Sequence, residues 1–438
     1  MTIDRRAMLA ATGAAAASAF IAGEAAAAPA PGAFPRGFLW GTATAGHQVE
    51  GNNVASDIWL LENIKPTLFA ERSGDALNSF ELWPADLDLV KSFGLNTYRF
   101  SLEWARIEPE PNVFSIAMLD HYKAIVAGCR ARGLVPMLTF NHFTTPRWFA
   151  AQGGWTSPQA PDLFARFCDR AARHLLDGVG YATTLNEPNT VGIIRDVFPV
   201  QFLGALRAMN AAAAHACASD KFTNAMIPDP GDLETMQPNL IAAHKAGKAA
   251  IKAVRSDLPV GVSLAISDDQ AVGPNSLRDA KRQAFYGVWL EAAKGDDFLG
   301  VQNYERARWS DKGALPPPAG VPLNGMGREV YAPSLANAVR YAHAATGLPI
   351  MVTEHGVGVA DDAIRAAFIP AALAELQKAI AEGVPVQGYV HWSLLDNFEW
   401  IFGYKPKFGL CSVDRTTFKR TPKPSATILG AIARRNAV

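Results

Sequence analysis

The sequence predicts a single-domain α/β protein, a closed (β/α)8 barrel of the TIM type. Three observations carry that prediction. Short apolar, β-rich runs recur eight times between residues 38 and 395, and seven are near-continuously apolar, as strands buried on both faces require. Each run meets a polar or Gly/Pro stop and then a longer helical pattern, the alternation of parallel strands with crossover helices. No linker, 20–50-residue repeat or low-complexity block divides the units. A chain of 438 residues has length for about three ordinary domains, but one barrel can span it.

The elements follow in order. The first run, FLWGTATA (38–45), precedes a polar stretch. NTYRFSL (96–102) is followed by the amphipathic AMLDHYKAIVAGCRARG (117–133). LVPMLTFN (134–141) leads to LFARFCDRAARHLL, and YATTLN (181–186) opens the longest gap between strands, residues 188–259. That gap holds a helical pattern over 239–257 and an Ala-rich, less regular part over 201–235, read as a loop excursion over the barrel mouth. VGVSLAIS (260–267) and DFLGVQNY (297–304) come next, then a second excursion, rich in Pro and Gly, over 308–327. A helical pattern over 334–347, PIMVTE (349–354) and VQGYVHWSLL (386–395) complete the eight.

Composition excludes several classes. The chain is 49% apolar, too high for intrinsic disorder. Forty-one basic residues balance 41 acidic ones, so no net field draws it to nucleic acid or an anionic membrane. Cys129, Cys168, Cys217 and Cys411 are too few and scattered for a disulfide framework or a zinc site, and buried free thiols are expected. With no H-E-x-x-H, P-loop or G-x-G-x-x-G, neither metal nor nucleotide cofactor is expected.

Residues 1–30 read as an address. Arg5-Arg6 precedes an apolar, Ala-rich stretch from Met8 to Gly23, and Ala25–Ala28 supplies small residues of the kind signal peptidase accepts. The stretch is shorter than the about 20 residues of a membrane span. The expectation is a twin-arginine (Tat-type) export signal, removed near residues 27–30, with no stable membrane anchor and a periplasmic or secreted product.

In such a barrel, chemistry belongs to the C-terminal ends of the strands. Strand four ends in Asn186-Glu187-Pro188 and strand seven in Thr353-Glu354-His355-Gly356. Strand two carries Arg99 and Glu103, strand three ends in Asn141-His142, and strand eight runs into Trp392. A lone glutamate after a strand is an ordinary loop or capping residue. Two at the ends of different barrel strands face one pocket, and hydrolysis of a glycosidic bond needs such a pair. Amide, imidazole and carboxylate groups bind sugar hydroxyls, and an aromatic face packs on a pyranose ring. His47 and His391 have no assigned part and are expected to be satisfied structural histidines.

These motifs resemble those of glycoside hydrolase family 1. Thr184–Pro188, Val352–Gly356 and Trp392–Trp400 look like the family's three signatures; Phe38–Ala45 with Gln48 and Glu50-Gly51 looks like its first strand, and Tyr98–Trp104 its second. The close, Gly403-Tyr404 to Phe408-Gly409-Leu410 with Val413-Asp414, is similar too, so the likeness spans roughly 34–430. It implies that residues 31–438 form a catalytic barrel, a retaining exo-acting β-glycosidase with β-glucosidase as the leading label. By the resemblance, Glu354 is the nucleophile, Glu187 the acid/base, and Arg99 the cation that keeps Glu354 ionised. Asn186 matches the ligand of the sugar 2-hydroxyl; Gln48, His142, Glu399 and Trp400 match the group that grips the outer hydroxyls. Trp392 matches the platform under the ring and Tyr304 the tyrosine on the nucleophile.

The sequence departs from the pattern in three places. Gln302 stands where asparagine is usual near the nucleophile, His355 follows the nucleophile where asparagine is usual, and Phe143 stands where tryptophan is frequent. The same carboxylate pair would serve transglycosylation, with an alcohol in place of water; a non-catalytic sugar-binding barrel is the alternative from another class. The partner expected is a small-molecule glycoside, and the sequence leaves the oligomeric state open.

Overall fold

The computed structural model describes residues 32–192 and 200–438. The export signal expected over 1–30 lies outside them. Eight parallel strands close into one barrel in strict chain order: β1 (Leu39–Ala43), β2 (Thr97–Ser101), β3 (Val135–Asn141), β4 (Tyr181–Asn186), β5 (Val260–Ala265), β6 (Leu299–Asn303), β7 (Ile350–His355) and β8 (Val386–Trp392). The closure is made by β1, which pairs Leu39 with Gly388 on one side and Gly41 with Thr97 on the other. All eight predicted runs are strands, each within its predicted span to one residue.

The strands are continuously apolar because each is covered twice. Leu39, Met137, Met351 and Val390, from four different strands, meet in one buried cluster that fills the lumen. The alternate residues face an outer layer of helices. The ring is formed by α1 (Ser79–Ser92), α2 (Ile116–Ala131), α3 (Ala160–Leu175), α4 (Leu233–Val254), α5 (Val288–Ala293), α6 (Ser334–Thr346), α7 (Asp362–Ala381) and α8 (Pro424–Arg435). The Ser115 hydroxyl caps α2 by accepting from the Met118 N–H, and Leu119, Tyr122, Ile125, Val126 and Cys129 make its buried stripe. Cys129, Cys168 and Cys411 are buried and all four cysteines are free thiols.

Two excursions are more regular than expected. Residues read as an irregular loop contain a helix, Val200–Ala216, and α4 begins at Leu233, well before the predicted residue 239. The helix is legible only in three dimensions, where Met209 Sδ meets the Leu68 N–H at 3.4 Å. Part of 308–327 is strand: Arg306–Ser310 pairs antiparallel with Gly313–Leu315 and parallel with Asp268–Ala271. These strands are polar and half-buried, so they carry no apolar run to announce them.

Candidate active site

The residues given catalytic and sugar-binding parts by the sequence lie at the C-terminal rim of the barrel. β2 supplies Arg99, the turn after β3 His142, β4 Asn186 followed by Glu187, β6 Gln302 followed by Tyr304, β7 Glu354, and β8 Trp392. Gln48 comes from the short helix Gly46–Val49 after β1, and Glu399 and Trp400 from the loop after β8.

Glu354 is the centre of a donor cage. The Arg99 guanidinium donates to its Oε1 at 2.6 Å, the Tyr304 hydroxyl donates to its Oε2, and Gln302 stands opposite it on the neighbouring strand. Burial still pushes the Glu354 proton affinity above the ordinary carboxylate range, and Arg99, Tyr304 and Gln302 pull it back. Arg99 and Tyr304 thus share the work of keeping Glu354 ionised against desolvation.

Glu187 sits in other surroundings. It is half-buried, its backbone holds φ +45°, and no side chain among the described residues hydrogen-bonds its carboxyl. Desolvation raises it well above the usual range, the Glu354 and Glu399 charges raise it further, and Arg99 opposes them. Phe143 and Trp400 also hold positive φ, +67° and +54°. Three non-glycine residues in the left-handed region cost of order 1–3 kcal/mol each, and such strain gathers where geometry serves function.

The hydroxyl-binding groups form a connected wall. Asn186 Oδ1 accepts from Arg99 Nη2 at 2.6 Å and from Gln302 Nε2 at 2.8 Å, so both its lone pairs are used. Its Nδ2 lies 3.3 Å from His142 Nε2. Burial holds His142 neutral, so that nitrogen accepts and the ring proton falls on Nδ1, which has no partner. Gln48 spends its Nε2 on the Phe398 carbonyl at 2.7 Å, leaving a buried Oε1 unpaired, as is the Oε1 of Gln302. Trp392 Nε1 donates to Glu399 Oε1 at 3.3 Å, and burial pushes Glu399 up to about 8. The His142 ring lies nearly parallel to Trp392 and to Trp400, at 16° and 15°.

Two neighbours were not legible as site residues. The His47 ring lies parallel to Trp400 at 5.9 Å, and the Phe143 ring meets it edge-on at 5.5 Å. His47 sits beside Gln48 in the chain, but nothing in that spacing points it at Trp400. Nor is His47 fully satisfied: Nδ1 accepts from Asn53, while Nε2 stands 3.6 Å from Glu62, beyond hydrogen-bonding reach. His391 likewise bonds Tyr389 through Nδ1 and leaves Nε2 unpaired. His355 faces away from the site, bonding Tyr389 at 3.0 Å and stacking on Phe368 of α7. The glycine after it is obligatory, since a Cβ at Gly356 would lie 2.1 Å from the Trp392 carbonyl oxygen.

Two carboxyl groups in one cleft, one caged by donors and one without, are the machinery of glycosidic-bond hydrolysis. The chain belongs to glycosyl hydrolase family 1, whose sequence model matches residues 30–284 and 302–438, and it is a glycoside hydrolase. It is 30% identical to a beta-glucosidase of Agrobacterium sp. over 91% of this chain and 95% of that protein. Among solved structures, beta-glycosidase BGL167 superposes with a TM-score of 0.86 at 46% identity, covering 92% of this chain and 98% of that one. Beta-glucosidase 1317 gives 0.88 at 42% identity, covering 91% and 98%. The beta-glucosidase of Thermotoga maritima in complex with cyclophellitol gives 0.82 at 25% identity, covering 93% and 99%. The stretch between the two matched segments holds α5, on the outer ring and away from the carboxylates.

Proposed function

We infer that the chain is a retaining, exo-acting β-glycosidase, with terminal β-D-glucosides as its leading substrates. The unlike surroundings of Glu354 and Glu187 carry the reading. Glu354, held by the Arg99 and Tyr304 donors, is the nucleophile; Glu187, with no donor and a raised proton affinity, is the acid. The names of the relatives support glucose as the sugar.

In the first step the Glu354 carboxylate attacks C1 while Glu187 gives its proton to the glycosidic oxygen. The C1–O bond breaks, the aglycone leaves as an alcohol, and the sugar remains as an ester on Glu354. The ester removes the charge beside Glu187, which then takes a proton from water; the water oxygen attacks C1 and frees Glu354. Two inversions give net retention. Asn186 offers its Nδ2 to the 2-hydroxyl, Trp392 underlies the ring, and Gln48, His142, Glu399 and Trp400 meet the outer hydroxyls. The test is a nitrophenyl-glycoside panel, α and β, of gluco, galacto, fuco, xylo and manno forms. Release from β-sugars by wild type and none by Glu354→Ala is expected. Equal release by both would overturn the assignment of Glu354.

The leader is a further part of this reading: residues 1–30 direct Tat-type export to the periplasm or beyond. Replacing Arg5 and Arg6 by Lys should hold the activity in the cytoplasm; unchanged export would overturn it.

A further inference from the structure

Glu187 is an acid whose carboxyl no side chain among the described residues holds, so its backbone has to aim it. That backbone is in a place the chain resists twice over. Its φ is +45°, in the left-handed region. The next residue is Pro188, whose ring favours extended backbone in the residue before it. A conformation of this kind persists only where its surroundings over-determine it.

The surroundings of Glu187 do so from β5. β4 and β5 pair through Asn186 and Ser263, and the Glu187 N–H donates to the Ser263 carbonyl at 2.8 Å. There the backbone of β4 turns away. Ala265, two residues further along β5, presents its N–H and carbonyl to the same side, and a side chain takes them up. Asn189 Nδ2 donates to the Ala265 carbonyl at 2.7 Å, and Asn189 Oδ1 accepts from the Ala265 N–H at 3.0 Å. One amide thus replaces the two backbone groups that a longer β4 would have offered. Asn189 is buried, so water does not compete for these bonds. Beyond the turn, the Thr190 hydroxyl and N–H donate to the Glu187 carbonyl at 2.8 and 3.0 Å.

We propose that Asn189 is a positioning residue for the acid: its side chain continues the β4–β5 ladder past the end of β4 and, with Thr190, fixes the backbone from which Glu187 reaches the glycosidic oxygen. The proposal rests on the glycosidase reading above. Glu354 is held separately, by Arg99 of β2 and by Tyr304 after β6. Loosening Asn189 should therefore be felt only where a proton must be delivered.

The test uses Asn189→Leu, which keeps the volume and removes both hydrogen bonds. kcat/KM, which reports the first step, is measured for a dinitrophenyl β-glucoside, whose leaving group needs no proton, and for octyl β-glucoside, whose leaving group does. We expect the octyl value to fall about tenfold, part of the about 10²–10⁴ that a general acid supplies, and the dinitrophenyl value to hold within about twofold. Thr190→Val removes one of the two bonds to the Glu187 carbonyl. It should move the ratio the same way by less, and it reads the clamp if Asn189→Leu does not fold. Both substrates slowed by one factor, as lost packing or partial unfolding produces, would overturn the proposal. Wild type that hydrolysed no β-glycoside would end the functional reading, whereas an active wild type with the ratio unmoved in the folded variants would end this one.

Discussion

At the scale of single residues, division of labour between like groups decides the chemistry. Glu354 and Glu187 are the same side chain in one cleft, set apart by the donors around them. Removing Glu187 as Glu187→Ala should cost about 10²–10⁴ in kcat for alkyl glycosides, the usual worth of a general acid. Aryl glycosides with strongly acidic phenols need no proton on departure, so their first step should be nearly spared. Parallel losses of kcat/KM, which reports the first step alone, on both classes would remove the acid role. These residues were legible because a carboxylate at a strand end, flanked by Asn186 and Pro188 or by Thr353 and His355, has few other reasons to be there. What was not legible is how the charges settle. Sequence names Arg99 and Tyr304 as neighbours of Glu354, but only the structure sets burial against them.

At the scale of elements, the strands were legible because burial on both faces leaves nothing but apolar runs. The Val200–Ala216 helix was not, because its alanines carry little periodicity and its partner lies near residue 68, far away in the chain. The polar strands around 270 and 308 were missed because their pairing depends on two excursions meeting. The loop after β7 is held by an element of its own. Arg365, fully buried on α7, donates to the carbonyls of Val359 at 3.0 Å and Val357 at 3.4 Å, and to that of Lys407. Lys407 precedes Phe408, whose ring meets Tyr304 edge-on at 5.7 Å. Arg365→Ala strips these carbonyls of their donor, which should cost about 3 kcal/mol in chemical denaturation. Its kcat should fall further than that of an equally destabilising core variant such as Leu429→Ala on α8, since the loop beneath Tyr304 is released. Equal kcat in the two variants would separate Arg365 from the site.

At the scale of the whole molecule, the buried carboxyl groups set the response to pH. Burial pushes Glu50 up to about 7, Asp57 to about 6 and Glu399 to about 8. A carboxyl with a raised folded pKa adds stability that is complete below its ordinary pKa and is lost as pH rises through the folded value. His121, His142, His355 and His391 are lowered by burial and act the other way, losing stability as pH falls below their ordinary range near 6.5. Above about pH 7.5, a unit past that range, these histidines are neutral folded or unfolded and drop out. Tm should therefore fall between about pH 7.5 and 8.5, and Glu399→Gln should flatten the fall, because Glu399 is the half-ionised member of that window. A fall of the same steepness in the variant would move the cause elsewhere. This behaviour cannot be read from the sequence, where 41 acidic and 41 basic residues balance; it arises because several acids are buried beside few cations.

The claim that most needs testing is that one glutamate, Glu354, carries the sugar through the reaction. A 2-deoxy-2-fluoro-β-glucoside with a dinitrophenyl leaving group slows the second step more than the first and lets the ester accumulate. Peptide mass spectrometry of the trapped enzyme should find the fluorosugar on the peptide that contains Glu354, and no adduct in Glu354→Gln. An adduct on Glu187, or turnover with no adduct and an inverted product, would contradict the account.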